Sequence, residues 1–509
     1  MARTHLLHRL ARLLRGDRAP PVGALSRRRF LLGAGALAGC AVGTSYREIL
    51  QPAALPSAGS ATRADVLIVG AGLAGLTAAH RLRQGGVSAV IYEAGGRVGG
   101  RAFTTRDTFP VRAELGGELI DTRHTAIRAL VAELGLGLVD VAADSGALER
   151  ERYFLQGTAW SEAQVLDLLR PLYALVARDL AAIGRGPITW EHHTPSAEAL
   201  DQLSLSGWLD RNGVSGPARA LIEVAFTAEM GLDPGAQSAL GFLTMLGREV
   251  DRVALYGDSD ERYVVREGSD AIAQRLAAGA TIHRDHALIA LRPRADGRVR
   301  CVFDRGGAAA EVDASRVILA LPFSQLRRCE LAVELPRVKR RAIEELPYGT
   351  NAKVLVGVTG RPWREAGCAG TSFHDGGTYH ESWDSTRGFS HETSVLTAFS
   401  GGRLGVQVGD SNPEAQGRRF VDAIDVVFPG TANAYTGRTA RMHWPAARHF
   451  EGSYSAYGPG DVTRLGGAQA FPVDRIHFAG EHTSARAQGF MEGAVESGER
   501  AAREVLASR

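Results

Sequence analysis

A glycine-rich turn near residue 70 is the first segment whose residue types and spacing suggest chemistry. Gly70, Gly72 and Gly75 form a G-x-G-x-x-G pattern between a β-branched run and an apolar helical pattern. Glycine lets the backbone approach a diphosphate, and the amino terminus of the following helix attracts its negative charge. Glu93 ends the next apolar run, where a carboxylate can accept hydrogen bonds from ribose hydroxyls. The turn therefore predicts a βαβ unit that binds a dinucleotide.

Two arginines and a second glycine pair follow the predicted ribose-binding strand directly. The segment from Glu93 reads Glu-Ala-Gly-Gly-Arg-Val-Gly-Gly-Arg, which places Arg97, Gly100 and Arg101 close to the turn. A simple nicotinamide dehydrogenase does not need these residues, so the segment favours FAD. In this segment the chain resembles the flavin-containing amine oxidase family, which includes monoamine oxidases, polyamine oxidases and L-amino acid oxidases.

The resemblance implies positions for the FAD phosphates and for the flavin ring. Arg97 and Arg101 would meet the phosphates, with Gly100 beside them. Gly116 and Gly117, in the segment Ala-Glu-Leu-Gly-Gly-Glu-Leu-Ile-Asp, would run under the isoalloxazine ring.

A second motif of the same family lies near the carboxyl end of the chain. It reads His-Phe-Ala-Gly-Glu-His-Thr around Gly480 and Glu481, and continues as Gly-Phe-Met-Glu-Gly-Ala-Val-Glu around Met491. Glu481 would hold the ribityl hydroxyls of FAD. The backbone at Met491 enters a helix and would donate to the electron-rich edge of the reduced flavin. Because two distant motifs agree, the resemblance is expected to span residues 64–507.

Three side chains are implied to work beside the flavin. Lys353 aligns with the family lysine that holds a water against the reactive flavin nitrogen. Tyr454 and Phe490 would form the two walls of an aromatic cage on the substrate side. Phe490 lacks a hydroxyl, so a purely structural role for this ring is an alternative. The cysteine that links FAD covalently in monoamine oxidases is replaced by Ser453, which predicts non-covalent FAD.

Acidic residues suggest that the substrate carries a second positive charge. L-Amino acid oxidases usually place an arginine after the Gly-Gly turn to bind a carboxylate, whereas this chain has Glu118 there. Phe373 and Glu381 fall in the segment that lines the substrate cavity in relatives. We therefore expect a diamine, a polyamine or a basic amino acid in contact with these three side chains, with a monoamine as an alternative substrate.

The resemblance implies an oxidation that needs no catalytic triad. A hydride would pass from the carbon next to a deprotonated amine to FAD, and the imine would then hydrolyse. A dry aromatic pocket favours the neutral amine because it penalises the ammonium form. Dioxygen, giving hydrogen peroxide, or another redox acceptor would reoxidise the flavin. An L-amino acid oxidase, a desaturase or porphyrinogen oxidase, and an exported electron-relay protein are alternative interpretations.

The order of apolar patterns predicts a mixed α/β fold with a Rossmann-like FAD-binding domain and a substrate-binding domain. Residues 64–139, 262–342 and 445–509 are assigned to the FAD-binding domain, which is thus assembled from discontinuous segments. Residues 140–261 and 343–444 are assigned to the substrate-binding domain. Its leucine-rich first part predicts a mainly helical insertion, and its second part predicts a sheet.

Residues 1–60 have the features of a targeting segment and a linker. The segment Ser26-Arg-Arg-Arg-Phe-Leu-Leu and the Gly/Ala-rich run after it resemble a twin-arginine export signal. The run is shorter than the ~20 residues that span a bilayer. We expect the twin-arginine export machinery to carry the folded protein to a bacterial periplasm or cell surface. A lipobox-like Leu-Ala-Gly-Cys sequence makes a lipid anchor at Cys40 an alternative to ordinary cleavage.

Composition excludes several classes of function. The chain has 59 basic and 56 acidic residues, a balance that does not indicate a nucleic-acid partner. Its four cysteines form no C-x-x-C pair and lack a histidine at metal-ligand spacing, so neither a disulfide framework nor a metal site is predicted. The length of 509 residues suits two domains. The oligomeric state stays open, with a homodimer among the options.

Overall fold

A computed structural model describes residues 61–246 and 259–508 of the chain. The predicted export signal and Cys40 lie outside the described residues. Within them the protein has the predicted mixed α/β fold, built from two large sheets and a layer of helices between and around them.

The described residues form nineteen strands and seventeen α-helices. The strands are, in chain order, β1 (Thr62–Val69), β2 (Ala89–Tyr92), β3 (Thr104–Thr105), β4 (Ala113–Glu114), β5 (Leu138–Asp140), β6 (Glu149–Leu155), β7 (Thr158–Trp160), β8 (Tyr263–Val265), β9 (Thr281–His283), β10 (Ala287–Pro293), β11 (Val299–Arg305), β12 (Ala308–Leu319), β13 (Glu330–Leu331), β14 (Ala352–Thr359), β15 (Cys368–His374), β16 (Glu381–Asp384), β17 (Thr393–Ser400), β18 (Tyr435–His443) and β19 (Ile476–Phe478). The helices are α1 (Leu73–Gln84), α2 (Thr125–Glu133), α3 (Glu162–Leu169), α4 (Leu172–Ile183), α5 (Pro195–Asp201), α6 (Leu205–Arg211), α7 (Gly216–Met230), α8 (Ala239–Leu246), α9 (Asp270–Ala277), α10 (Phe323–Leu326), α11 (Arg337–Glu345), α12 (Pro362–Glu365), α13 (Gly402–Gln407), α14 (Pro413–Val427), α15 (Thr431–Ala434), α16 (Asp461–Leu465) and α17 (Met491–Ala507).

Strand β1 lies in the middle of the first sheet, where the glycine-rich turn begins. The strand order is β13-β10-β11-β12-β1-β2-β9, and β19 pairs with β12. β1 runs parallel to both of its neighbours. Val66 to Val69 are all buried, as expected for a parallel strand that is covered on both faces. The turn therefore leaves the carboxyl end of a central strand, which is where α/β sheets bind ligands.

The last segment of the chain returns to this first sheet. Strand β19 pairs with β12 in parallel, and helix α17 packs along α1. Gly498 allows the close helix contact, because a Cβ atom there would lie 2.3 Å from the carbonyl oxygen of Ala74. The two distant motifs therefore meet at the same end of the sheet.

The second sheet carries a row of paired residues that crosses four strands. Its order is β18-β14-β17-β16-β15-β6-β7. Lys353 of β14 pairs with Phe399 of β17, which pairs in turn with Glu381 of β16. Glu381 also pairs with Phe373 of β15. Because directly paired residues point to the same face of a sheet, these four side chains, here called the Lys353 row, share one face.

A layer of helices, α3 to α8, covers this face of the second sheet. Helix α7 contacts β15, β16 and β17. The apolar core of the layer includes Trp208, Phe226 and Phe242, and Phe373 of the sheet packs into it. The indole nitrogen of Trp208 donates a 2.7 Å hydrogen bond to Asp179, which ties α6 to α4. The layer holds the carboxyl end of α7 over the Lys353 row.

The insertion that was predicted to be mainly helical also contains two strands. Its first part forms β6 and β7, which complete the edge of the second sheet. Burial alternates along β6, where Glu151, Tyr153 and Leu155 are buried. The alternation was not recognised because one of the buried positions is a glutamate, and because the pairing partner β15 lies far away in the sequence.

Within residues 61–246 and 259–508, no helix combines the length and the apolar composition needed to cross a membrane. The same residues contain no group of His, Cys, Asp or Glu arranged to hold a metal ion. Cys301, Cys329 and Cys368 are free. Burial raises the pKa of Cys329 to about 12 and that of Cys368 to about 11, so both remain thiols at neutral pH.

Candidate active site

A cavity of about 400 Å³ runs from the glycine-rich turn to the second sheet. At one end it is lined by the turn and the carboxyl ends of β1 and β2. At the other end it is lined by Lys353, Phe399, Tyr454 and Phe490. The cavity, here called the flavin cavity, therefore connects the predicted dinucleotide site with the predicted site of chemistry.

The glycine-rich turn has the shape that a diphosphate needs. A Cβ atom on Gly75 would lie 2.0 Å from the carbonyl oxygen of Gly70, so this position is tightly packed. A Cβ atom on Gly72 would have no protein atom within 4 Å, and Gly72 lines the cavity. Gly72 also caps α1 without a side-chain hydrogen bond, which leaves the first N–H groups of the helix for an anion. The residues present therefore fit the diphosphate of FAD.

Glu93 lies at the cavity wall, just beyond β2. Its carboxylate accepts hydrogen bonds from the backbone nitrogens of Ala71 at 2.7 Å and Gly95 at 2.8 Å. Burial raises the pKa of Glu93, and these hydrogen bonds only partly oppose that effect. Each oxygen retains the capacity to accept a hydrogen bond from a hydroxyl group, as the predicted contact with ribose requires.

Arg101 and Glu481 form an ion pair in the cavity wall. The guanidinium donates to Glu481 at 2.9 Å and to the carbonyl oxygen of Ser453 at 2.6 Å. Glu481 also accepts from the Ser455 hydroxyl and from the backbone nitrogen of Gly489, both at 2.8 Å. Burial alone would raise the pKa of Glu481, but Arg101 and the hydrogen bonds hold it below its usual value. Glu481 is therefore an anion that joins the two family motifs.

Arg97 lies beside the cavity wall. Its guanidinium donates to the carbonyl oxygen of Gly100 at 2.7 Å and stacks over Phe103 at 4.1 Å from the ring centre. Gly100 lines the cavity, whereas Arg97 is not among the described residues that do so. Contact of Arg97 with the FAD phosphates stays a prediction.

Gly116 and Gly117 form the floor of the cavity under the expected position of the flavin ring. A Cβ atom on Gly116 would lie 1.9 Å from the carbonyl oxygen of Arg101. A Cβ atom on Gly117 would lie 2.9 Å from the side chain of Met491, which begins α17. Gly116 therefore requires glycine, whereas a side chain at Gly117 would have to displace Met491, and the amino terminus of α17 reaches the cavity here.

Lys353 is 2% exposed and uses all of its hydrogen-bond donors. Its amine donates to the carbonyl oxygens of Glu114 at 3.0 Å and Gly116 at 2.9 Å. The third acceptor is the Glu118 carboxylate at 2.9 Å. Lys353 thus fixes the Gly-Gly floor, and its predicted hold on a water beside the flavin stays a prediction.

Glu118 was predicted to contact the substrate, and the structure places its carboxylate between Lys353 and Trp383. The indole nitrogen of Trp383 donates to it at 3.1 Å. Burial alone would raise the pKa of Glu118, but the charge and hydrogen bond of Lys353 hold it below its usual value. Trp383 was not predicted from the sequence, although it lies two residues after Glu381 and so on the same strand face.

Tyr454 and Phe490 both line the flavin cavity. The Tyr454 hydroxyl donates to the carbonyl oxygen of Glu229 at 2.5 Å, which ties the ring to the end of α7. The Phe490 ring packs edge-on against His124, with 4.8 Å between ring centres. Phe399, which was not predicted, packs in one apolar cluster with Tyr454. This end of the cavity is therefore aromatic, and the role of the two rings as a substrate cage stays a prediction.

Ser453 occupies the position where monoamine oxidases carry a cysteine. Its hydroxyl donates to the side-chain oxygen of Asn351 at 2.6 Å, and Asn351 donates to the carbonyl oxygen of Ala228 at 2.7 Å. The hydroxyl is therefore part of a buried hydrogen-bond chain that joins β14 to α7. Non-covalent FAD stays a prediction that rests on this residue type.

Glu381 is 1% exposed and lies among other carboxyl groups. It borders a narrow gap together with Glu151, Glu261, Arg150 and Arg387, and it is not among the described residues that line the flavin cavity. One oxygen of Glu381 and one of Glu261 have no hydrogen-bond partner among the described residues. Burial and the charges of Glu229 and Glu151 raise the pKa of Glu381 well above its usual value. Glu151, Glu229 and Glu261 could not be predicted from sequence patterns, since folding alone brings them together.

Phe373 was also predicted to contact the substrate. It is fully buried and stacks on Tyr153, with 5.4 Å between ring centres. It lies in the core of the helical layer and, within the described part of the chain, is not among the residues lining the flavin cavity. The structure thus gives Phe373 a packing role beside Glu381.

Comparison with known families agrees with this arrangement of residues. A profile described as "Flavin containing amine oxidoreductase" matches residues 73–506. The chain belongs to the flavin-containing amine oxidoreductase family. It is accordingly an FAD-dependent amine oxidase.

Similar curated proteins are flavin-containing amine oxidases of vertebrates. The enzyme of Oncorhynchus mykiss is 25% identical over 468 residues, which cover 87% of this chain and 85% of the relative. The Homo sapiens amine oxidase B is 25% identical over 463 residues, which cover 87% of this chain and 86% of the relative. The match therefore spans nearly the whole described fold.

Solved structures show the same fold. A wild-type putrescine oxidase bound to putrescine is 25% identical and has a TM-score of 0.75, covering 88% of this chain and 100% of its own. Cyclohexylamine oxidase from Brevibacterium oxydans IH-35A is 22% identical with a TM-score of 0.75, covering 87% of this chain and 99% of its own.

Alanine substitutions in the glycine-rich turn separate cofactor binding from folding. Gly72→Ala adds a methyl group where no protein atom lies within 4 Å, so the apoprotein should fold normally. The methyl group would occupy diphosphate space, and we expect FAD affinity to fall at least about tenfold, or about 1.4 kcal/mol. Gly75→Ala places its methyl group 2.0 Å from a backbone oxygen and should lower the melting temperature of the apoprotein as well.

FAD titration and thermal melts of both apoproteins check this pair. If Gly72→Ala bound FAD as tightly as the wild type, the diphosphate would not lie over Gly72.

Glu118→Gln tests whether Glu118 supports Lys353 or contacts the substrate. The amide keeps the shape but leaves the buried Lys353 amine without its counter-ion, which typically costs about 3–5 kcal/mol. We expect a lower urea midpoint and slower flavin reduction, with an unchanged dissociation constant for the amine. Trp383→Phe removes one hydrogen bond and keeps the ion pair, so it should cost only about 1 kcal/mol.

Urea unfolding and stopped-flow flavin reduction measure both effects. A Glu118→Gln variant with wild-type stability and weakened amine binding would instead assign Glu118 to the substrate.

Proposed function

We propose that this enzyme oxidises an amine that carries a second positive charge, and that Glu381 binds the distal ammonium group. The substrate class comprises diamines, polyamines and basic amino acids. The observation that carries the proposal is the Lys353 row, which aligns a flavin-side lysine, an aromatic ring and a buried carboxyl group on one sheet face.

The spacing of the row suits a substrate with two charged ends. Lys353 and Glu381 lie on strands that are separated by β17, and neighbouring strands lie about 4.8 Å apart, so the two backbones are about 10 Å apart. Phe399 lies between them and lines the flavin cavity. An amine that reacts near Lys353 would therefore place a short methylene chain along Phe399 and its far end at Glu381.

The charge distribution also favours a cation at Glu381. Burying several carboxyl groups together is unfavourable, and the raised pKa of Glu381 reflects this. Arg387 offsets these charges only in part, so an ammonium group would add positive charge and a hydrogen-bond donor for the oxygen that lacks a partner among the described residues. Glu381 would release its proton when the cation binds.

The chain's own residues position and desolvate the reacting amine. Bound FAD supplies the hydride acceptor for the carbon next to the nitrogen. Tyr454, Phe399 and Phe490 exclude water and so favour the neutral form of the reacting amine. Lys353 and Glu118 hold the Gly-Gly floor rigid, and Glu381 fixes the distal end of the substrate. Dioxygen or another acceptor completes the cycle.

Two further points belong to this proposal. FAD is held without a covalent bond, because Ser453 offers no thiol. The likeness to a putrescine oxidase that was solved with putrescine supports a diamine substrate.

We also propose that the enzyme works outside the cytoplasm after export through the twin-arginine route. The support is the sequence Ser26-Arg-Arg-Arg-Phe-Leu-Leu and the apolar run that follows it. A protein that must enclose FAD while it folds gains from export in the folded state.

Glu381→Gln should slow the oxidation of an amine with a distal charge and leave an amine without one nearly unaffected. We compare putrescine with pentylamine, in which a methyl group replaces the distal ammonium. Truncating a buried charge pair costs about 2–5 kcal/mol, so kcat/KM for putrescine should fall roughly 100-fold. Pentylamine has no distal charge for Glu381 to bind, so its kcat/KM should change by less than about threefold. A tenfold change would correspond to about 1.4 kcal/mol. Equal losses for both amines would contradict the proposal.

The pH dependence of putrescine binding provides a second readout. The raised pKa keeps Glu381 neutral at low pH, and the carboxylate forms as pH rises through that pKa. Putrescine affinity should therefore increase with pH over this range in the wild type. Glu381→Gln should lack this increase.

Replacing Arg27 and Arg28 by lysine tests the export route. The double variant keeps the positive charge but loses the arginine pair, so FAD-loaded precursor should accumulate in the cytoplasm. Cell fractionation with flavin fluorescence measures this. Unchanged export of the double variant would rule out the twin-arginine route.

A further inference from the structure

A second cleft of about 370 Å³ adjoins the aromatic end of the flavin cavity. Tyr454 and Phe490 line both spaces. The outer rim of the cleft includes the exposed residues Pro187 and Arg486. The cleft therefore leads from the protein surface to the two rings beside which the amine reacts.

A buried amide faces this cleft with an unused acceptor. Gln237 is 2% exposed and lines the cleft. Its nitrogen donates to the carbonyl oxygens of Leu232 at 2.6 Å and Phe226 at 3.1 Å, which fixes the orientation of the amide. Its oxygen has no hydrogen-bond partner among the described residues. A ligand that complements this oxygen must donate an N–H or O–H group.

The other lining residues suit an aliphatic chain with nitrogen atoms in it. Met230 and Met245 supply apolar surface for methylene groups. Glu229, which is buried at the inner end, adds negative charge near the two rings. The cation at the rim, Arg486, is paired with Glu496 at 2.6 Å. Inside the rim, the cleft thus favours a cationic or N–H-bearing chain.

We propose that this cleft is a subsite for the arm of a polyamine that extends from the reacting nitrogen away from Glu381. In this subsite the oxygen of Gln237 accepts a hydrogen bond from an N–H group of that arm. The proposal rests on the proposed function, and it narrows the preferred substrate to a polyamine that reacts at a secondary amine.

Oxidation of a secondary amine follows the same course as the amine oxidation proposed above. The carbon next to the secondary nitrogen loses a hydride to FAD, the nitrogen loses its proton, and a C=N bond forms. Water then adds to this bond and cleaves it to an aldehyde and a shorter primary amine. Putrescine has no second arm, so it would react without using the cleft.

Gly241 offers a way to fill the cleft without disturbing its walls. It lies in α8 and lines the cleft, and the nearest atom to a Cβ there would be 3.9 Å away. Gly241→Leu should therefore project into the cleft, while Gly241→Ala controls for the backbone change at nearly the original size. Leucine and alanine both have a higher helix propensity than glycine, so neither substitution should weaken α8.

Anaerobic flavin bleaching gives dissociation constants for spermidine and putrescine with each variant. For Gly241→Leu we expect spermidine to bind at least about tenfold more weakly, because its arm loses its space, and putrescine to stay within about twofold. Gly241→Ala should keep both constants within about twofold. Gln237→Leu should weaken spermidine about fivefold relative to putrescine, the effect of one hydrogen bond.

Other outcomes would overturn the subsite. If Gly241→Leu weakened the binding of spermidine and putrescine equally, the cleft would be a passage that both amines use. If it weakened neither, the cleft would not take part in amine binding. Slower reoxidation by dioxygen with unchanged spermidine binding would assign the cleft to the acceptor.

If neither amine bleached the wild-type flavin, the proposed function itself would fail. Calorimetric titration of spermidine into the wild type and Gly241→Leu would then test the subsite separately from the reaction. Spermidine that binds the wild type but not the variant would support the subsite. Spermidine that does not bind the wild type would overturn it.

Discussion

The buried amine of Lys353 is the contact on which the geometry of the active site depends. It leaves the second sheet and donates to two backbone oxygens of the Gly-Gly floor and to Glu118. The floor in turn touches Met491 at the start of α17. One side chain thus fixes the relative positions of three chain segments that are far apart in the sequence. Because the amine is charged and buried, the arrangement requires Glu118 as its counter-ion.

The same sheet that supplies Lys353 also supplies the feature that we assign to substrate choice. Antiparallel pairing places Phe399 and Glu381 beside Lys353 at fixed spacing, so under this assignment the strand register would set the length of the preferred amine. The helical layer adds Glu229 from above and seals the carboxyl groups from water. Their desolvation makes a dicationic ligand more favourable than a monoamine.

Much of the cofactor site could be predicted from the sequence, because its chemistry is local. The order of strand, glycine-rich turn, helix and strand agrees with the predicted βαβ unit, since short-range periodicity and glycine positions determine it. The substrate end could not be predicted to the same depth. Trp383 and Phe399 reach the site through strand pairing, and Glu229 reaches it through helix packing. The pairing of Glu118 with Lys353 could not be predicted, because the two residues lie 235 positions apart in the sequence.

The measurement that tests the account most directly is an anaerobic absorbance titration of the purified FAD-loaded protein with putrescine, butylamine and leucine. The account predicts that putrescine bleaches the oxidised flavin band at lower concentration than butylamine, and that leucine leaves the band unchanged. Bleaching by leucine alone would contradict the assignment of Glu381, and an oxidised band that persists with all three would contradict a diamine substrate.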